Sequence, residues 1–167
     1  MINKITYAHG IFFLQVLAYL SVIPMIMYAS FEHYIIGVFF YFLFGCLGMI
    51  MGYHRLHSHR SFYTPLWFEK LITIFATMSL TGPAIDWVAI HRAHHKWHDT
   101  EKDPHSPDYK GRLHVHFLTM FTEVSPRFAM DLIRNNCYMW QRKNYFYIIG
   151  IYAIILLLID PFAIVYA

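Results

Sequence analysis

The sequence predicts an all-α integral membrane protein, and three observations carry that prediction. Hydrophobic residues make up 57% of the 167 positions and charged residues only 14%, whereas a soluble domain is about one-quarter charged. Long apolar runs recur along the chain, and a membrane-spanning helix needs ~20 mostly apolar residues. Twelve of the thirteen Lys and Arg residues lie between Arg55 and Lys143, which marks that interval as the cytoplasmic face. The expected architecture is about three transmembrane helices, an interfacial or re-entrant amphipathic segment and a cytoplasmic helical cap. Residues 1–167 are expected to form one domain.

Residues 10–28 form the first apolar run, in which Pro24 is a tolerable kink. The run outlasts a signal-peptide core and shows no small-residue cleavage site, so it is read as a span. Residues 29–33 contain Glu32 and no basic residue, and residues 34–53 form a second run without a charge. Two spans joined by so short a turn make a hairpin with both ends in the cytoplasm. Within the second run, Gly48 and Gly52 stand at the G-x-x-x-G spacing that lets helices approach closely.

Residues 67–90 are apolar as well, but they include Glu69, Lys70, Asp86 and a Gly82-Pro83 break. A crossing here would put the histidines before and after it on opposite sides of the bilayer. The segment is therefore expected to be amphipathic and embedded in one leaflet. Residues 96–144 are polar and rich in turn pairs such as Asp103-Pro104 and Lys110-Gly111. Within them, residues 127–142 are expected to form a surface helix that leads into a third span, Tyr145–Ile159. Basic residues are interleaved with acidic ones, which argues against nucleic-acid binding. Cys46 and Cys137 sit in unrelated contexts and suggest neither a disulfide nor a thiolate metal site.

Twelve histidines are the anomaly in this composition. One cluster, His54, His57 and His59, follows the second run; another, His91, His94, His95 and His98, follows residues 67–90. On a helix, His91 shares a face with His94 and His95. His54 and His59 lie about 140° apart on a regular helix, so they converge only where the helix ends or distorts. Imidazole donors suit iron, copper, nickel or zinc, and spacing alone does not choose among them. Five clustered candidates, His54, His59, His91, His94 and His95, exceed the four ligands of a structural zinc site and suggest two metals. His57, His98, His105 and His116 are further candidates. Asp86, Asp99 and Asp103 are placed to orient ligand imidazoles from behind, and Trp87, four residues before His91, is placed to line a substrate entrance.

The stretches HRLHSHRSF (residues 54–62) and GPAIDWVAIHRAHH (residues 82–95) resemble the first two histidine boxes of the membrane fatty-acid desaturases. The nearest likeness is to the Δ9 acyl-lipid and acyl-CoA branch. It continues through Asp99-Thr100, Asp103-Pro104-His105, Lys110-Gly111 with His116, and Gln141-Arg142-Lys143. The resemblance implies a helical membrane protein with a cytoplasmic cap and two non-haem irons held by histidines of three boxes. His54, His59, His91, His94 and His95 match the ligands of the first two boxes. The sequence departs from the family at three points: no histidine follows His116, His57 stands where relatives carry an aromatic or aliphatic residue, and residues 112–115 replace a Trp-rich stretch. The chain is therefore expected to stop before the third box.

The implied reaction is O2-dependent removal of two hydrogens from a saturated acyl chain, drawn from a lipid, acyl-CoA or acyl-ACP. Electrons would come from a ferredoxin or a cytochrome b5-type donor. An unactivated methylene has no proton acidic enough for a side-chain base, whose contribution is in any case ~10²–10⁴-fold. Two rival expectations stand beside this one. One is a hydroxylase of the same superfamily; the other is an inactive, regulatory or split fragment with an incomplete metal site.

Overall fold

The computed structural model describes residues 4–167, and all regular structure among the described residues is helical. Helix α1 (Lys4–Leu20) runs into α2 (Val22–Tyr28), and together they supply the apolar length Tyr7–Tyr28. A turn follows, at which Ser30 and His33 cap α3 (Phe31–Phe40) reciprocally. The chain then continues without a break into a wide helix, Tyr41–Ser58. Tyr7–Tyr28 and Phe31–Ser58 are the two stretches long and apolar enough to cross a membrane as single helices. Phe13, Ile26, Phe39 and Val38 face outward with more than half their surface exposed, as expected for groups solvated by lipid.

The wide helix has hydrogen bonds running from residue i to i+5, so each turn takes more than four residues. Its buried positions follow that pitch: Phe44, Gly48, Gly52 and Tyr53, then Leu56 and His57. That face packs antiparallel against α4 (Leu66–Met78). A Cβ on Gly48 would lie 2.4 Å from the Ala76 backbone nitrogen, and one on Gly52 would lie 3.3 Å from the Ile72 carbonyl oxygen. The two backbones touch there, and only glycine permits it at position 48.

At the end of α4 the chain turns through Ser79–Pro83 and comes back as α5 (Ala84–Trp97). Gly82 adopts φ +102°, a conformation glycine accepts freely, and its N–H donates to Tyr145 Oη at 3.0 Å. Helices α4 and α5 thus form a hairpin that leaves the end of the wide helix and returns to it. At 13 residues, α4 is ~20 Å long, short of a ~30 Å hydrocarbon core.

Beyond α5 come α6 (Pro107–Lys110) and the short turns His114–Leu118, Thr119–Phe121 and Pro126–Ala129. The continuous surface helix expected over residues 127–142 is not formed. Instead the chain makes α7 (Met130–Ile133), a break, and α8 (Asn136–Lys143), which the Asn135 side chain caps by accepting from the Cys137 N–H. The reason is burial: Ala129, Leu132 and Tyr138 enter one core with Tyr53, Ala76, Ala84, Ile85 and Val88. Helix α8 meets α9 (Tyr145–Ile159) at 64°, and only as a bent pair do they reach a third spanning length. The short α10 (Ala163–Tyr166) closes the chain.

Gln141 fastens α8 to the rest. Fully buried, it donates to Tyr53 Oη and Thr77 Oγ1, both at 2.9 Å, and accepts from the Ala84 N–H. Three elements thereby share one amide. The close approach at Gly48 gives a direct prediction. Gly48→Val should destabilise by at least about 1–3 kcal/mol through overpacking, whereas Gly150→Ala, with open space around its Cβ, should be neutral or slightly stabilising. Unfolding in mixed detergent micelles measures both, and a Gly48→Val curve overlying the parent would contradict the backbone contact.

Candidate metal centre

The i→i+5 pitch settles how two histidines five apart come to face one point. The His59 N–H donates to the His54 carbonyl oxygen at 3.1 Å, so the two side chains emerge from nearly the same face. Their Nε2 atoms are 3.0 Å apart. His91 and His95, one turn apart on α5, are brought up by the returning hairpin. His59 Nε2 lies 3.1 Å from His91 Nε2, and His91 Nε2 lies 3.0 Å from His95 Nε2.

Four imidazole donors therefore converge on one small volume. Neutral imidazoles so close repel through their lone pairs unless protons or a cation lie between them. Bonds of ~2.1 Å to a cation, set at right angles, would separate neighbouring nitrogens by ~3.0 Å. That is the spacing of this cluster, so its donor set and dimensions fit a divalent transition metal.

His94, although it shares the helix face of His91 and His95, is turned away from their cluster. Its Nδ1–H donates to Asp103, 2.9 Å from each carboxylate oxygen, which leaves Nε2 as the atom able to bind a metal. Asp103 is fully buried and also accepts from the backbone N–H groups of Asp99 and His105. Burial alone would raise its pKa, but these hydrogen bonds outweigh it and hold the carboxyl below its usual range. His94, His98 and Asp103 form a second group of metal-capable atoms. Asp103 is already engaged on three sides, and exposed His98 pairs with Asp99 at 3.1 Å.

The remaining sequence candidates fall around this core. Trp87 stacks on His91, with ring centres 4.7 Å apart and planes 14° from parallel. His105 lies 5.7 Å from His94 by ring centres and bonds Thr119. His116 bonds Tyr19 Oη at 3.1 Å, away from the four-histidine cluster. His57 lies on the opposite face of the wide helix, buried against Thr73 at 2.8 Å. Asp86 pairs with Arg142 at 2.8 Å rather than with an imidazole. Two contributors escaped sequence reasoning: Asp131, on a short helix with no motif around it, and Arg92, visible only as the residue between two boxed histidines. Arg92 and Asp131 pair directly at 2.7 Å.

A cavity of about 570 Å³ opens against His91 and His94. Its wall is mostly apolar, with Ile11, Ile85, Ile90, Val115 and Met120, and Trp87 stands beside the histidines. Such a volume and lining suit an elongated apolar ligand.

A family model described as fatty acid desaturase matches residues 29–167. The chain is 35% identical over 118 residues to the sn-1 stearoyl-lipid 9-desaturase of Anabaena variabilis, covering 68% of this chain and 43% of that protein. It is 37% identical over 117 residues to the sn-2 palmitoyl-lipid 9-desaturase of Nostoc sp., covering 65% and 41%. It is 46% identical over 69 residues to Delta-9 acyl-lipid desaturase 2 of Arabidopsis thaliana, covering 41% and 22%. The chain thus spans less than half the length of these relatives.

Partial burial, reinforced by His54, His95, His59 and His94, pushes the His91 pKa from 6.5 down to about 3. A depressed histidine pKa favours the folded state where the group is neutral. Below pH 6.5 the unfolded chain gains a proton that folded His91 does not accept until about 3. Stability of the metal-free protein should therefore fall as pH drops from 6.5 towards about 4, and His91→Gln should flatten part of that slope. Unfolding midpoints across this range decide it: parallel profiles for parent and variant would refute the assignment.

Proposed function

The chain belongs to the fatty acid desaturase family, and on that premise we propose that it carries the acyl-binding cavity and first iron site of an O2-dependent acyl desaturase of Δ9 type. Members of the family are oxidoreductases that desaturate acyl chains. The observation that carries the reading is the convergence of four Nε2 atoms, supplied by both histidine boxes, beside an apolar cavity. The names of its relatives, acyl-lipid 9-desaturases, favour Δ9 position and a lipid-linked chain.

His54, His59, His91 and His95 would hold one iron, and His94 would offer Nε2 to a second. Bound iron supplies dioxygen activation and abstraction of hydrogen atoms, with electrons from a ferredoxin or cytochrome b5-type donor. The rest is work for the chain's own residues. Asp103 fixes the tautomer and direction of His94. Trp87 braces His91 on one face and the cavity on the other. The apolar wall orients a methylene segment towards the histidines and keeps water from it.

The separation of His94 from the other four favours a second reading of completeness. One iron site is built within this chain, and a second needs donors beyond those the described residues bring to His94. The site sits at the end of the wide helix, which the distribution of Lys and Arg puts in the cytoplasm. Tyr7–Tyr28, Phe31–Ser58 and the bent pair α8–α9 would cross the bilayer, and α4–α5 would enter and leave by the same face.

Metal analysis of the purified chain is expected to give about one iron per chain, as one four-histidine site implies, and His59→Ala should abolish it. Nearly two irons per chain, or a His59→Ala variant that retains iron, would contradict the assignment. Expressed in a host together with a relative's remaining segment, the chain should yield a new double bond in membrane lipids. Hydroxylated fatty acids instead would favour the hydroxylase alternative.

A further inference from the structure

Beside the histidines, one side chain that is not a metal ligand ties the wide helix to α5. Arg92 sits on α5, next to His91, on the side facing away from the cluster. Its Nε–H donates to the Ser58 carbonyl at 3.2 Å, and one Nη2–H donates to the His57 carbonyl. Those are the two residues immediately before His59, and their carbonyls close the wide helix. Backbone carbonyls at a helix end have no partner within the helix, and a cation placed there also meets the negative end of its dipole. The other Arg92 bonds are to the Phe128 carbonyl at 2.8 Å and, in a fork, to Asp131 Oδ1 at 2.7 Å and Oδ2 at 3.0 Å.

All five N–H groups of the guanidinium are thus engaged. Burial disfavours the Asp131 carboxylate, yet hydrogen bonds and charge from Arg92 and Arg60 outweigh this and hold its carboxyl far below the usual range. Arg60 also reaches Asp131, at 2.6 Å, but its side chain is 63% exposed and such pairs contribute little.

We propose that Arg92, oriented by Asp131, is the positioning residue that fixes the spacing of the four-histidine site. It sets the distance between His59, whose preceding carbonyls it binds, and His91, to which it is joined in sequence. The proposal rests on the metal-binding reading above. A lysine keeps the charge but has three donors on a flexible stem and cannot reproduce the planar fork. Arg92→Lys should therefore loosen the site while leaving its four ligands in place.

The test is cobalt(II) titration of the whole chain in detergent, with visible absorption reporting coordination and circular dichroism reporting the fold. Arg92→Lys is expected to remain helical, to bind cobalt 10–100-fold more weakly, the range usual for groups that orient ligands, and to show an altered spectrum. Asp131→Asn should shift both readouts the same way, and Arg60→Ala should shift neither. Parental affinity and spectrum in Arg92→Lys, even with a lowered unfolding midpoint, would show a brace of the fold and overturn the proposal. Should Arg92→Lys fail to fold, Asp131→Asn is judged by the same two readouts. A folded parent that binds no cobalt, or a His59→Ala variant that binds it as tightly, would instead refute the metal reading itself, and this proposal with it.

Discussion

Four basic nitrogens held about 3 Å apart are an unfavourable arrangement, and most of this structure can be understood as what maintains it. Each contact has the length of an N–H···N hydrogen bond, but a neutral Nε2 either donates or accepts, so the three cannot all be made among His54, His59, His91 and His95. Their mutual repulsion must be overcome by packing elsewhere, or by a cation that converts repulsion into coordination. The framework supplies the first. The wide pitch puts His54 and His59 on one face, and the α4–α5 hairpin brings His91 and His95 to meet them. Because the hairpin returns to the end it left, both boxes occupy one level.

The hairpin stays in place through contacts of two kinds. Along its descending arm, Gly48 and Gly52 let the backbones of the wide helix and α4 touch, which maximises dispersion contact where lipid offers no hydrophobic drive. At its turn, polar groups that would otherwise be orphaned are met by α8 and α9: Tyr145 accepts from Gly82, and Gln141 serves Ala84, Thr77 and Tyr53. A buried amide with three partners is costly to leave unpaired, so the break between α8 and α9 cannot drift without exposing the turn. The Gln141-Arg142 pair thus has a structural role on two sides, with Arg142 holding Asp86 on α5.

Much of this was legible in the sequence because it rests on composition and local spacing. The Gly82-Pro83 break was legible within residues 67–90, and the structure has two short helices there, Leu66–Met78 and Ala84–Trp97, on either side of it. Residues 91, 94 and 95 read as one helix face, and the structure refines that face: His91 and His95 join one cluster while His94 turns to Asp103. The helix pitch was not legible, because a run that is apolar on all sides shows no period from which to tell about 3.6 residues per turn from a little over four. Hence the convergence of His54 with His59 could be required but not explained. Asp131 and the Arg142 partner of Asp86 were invisible for a different reason. Long-range ion pairs leave no local pattern, and a carboxylate 39 residues from Arg92 looks like any other surface aspartate. The continuous helix expected over residues 127–142 failed because Ala129, Leu132 and Tyr138 all turn into one core, which the chain reaches by breaking between α7 and α8.

The division of the five histidines into four and one bears on how such a site is assembled. Two helices crossing near their ends can direct a limited number of side chains at one point, since each contributes only the residues one turn apart on its inner face. The wide helix gives two, His54 and His59, and α5 gives two, His91 and His95. The third histidine of α5, His94, points to a different location, towards a carboxylate that is itself fixed by two backbone N–H groups. His94 thereby stands apart from the four-histidine group, its Nδ1 held by Asp103. His94 also lines the cavity, so Asp103 and the cavity flank the same imidazole. One face of α5 thus borders the four-histidine cluster and the apolar cavity alike.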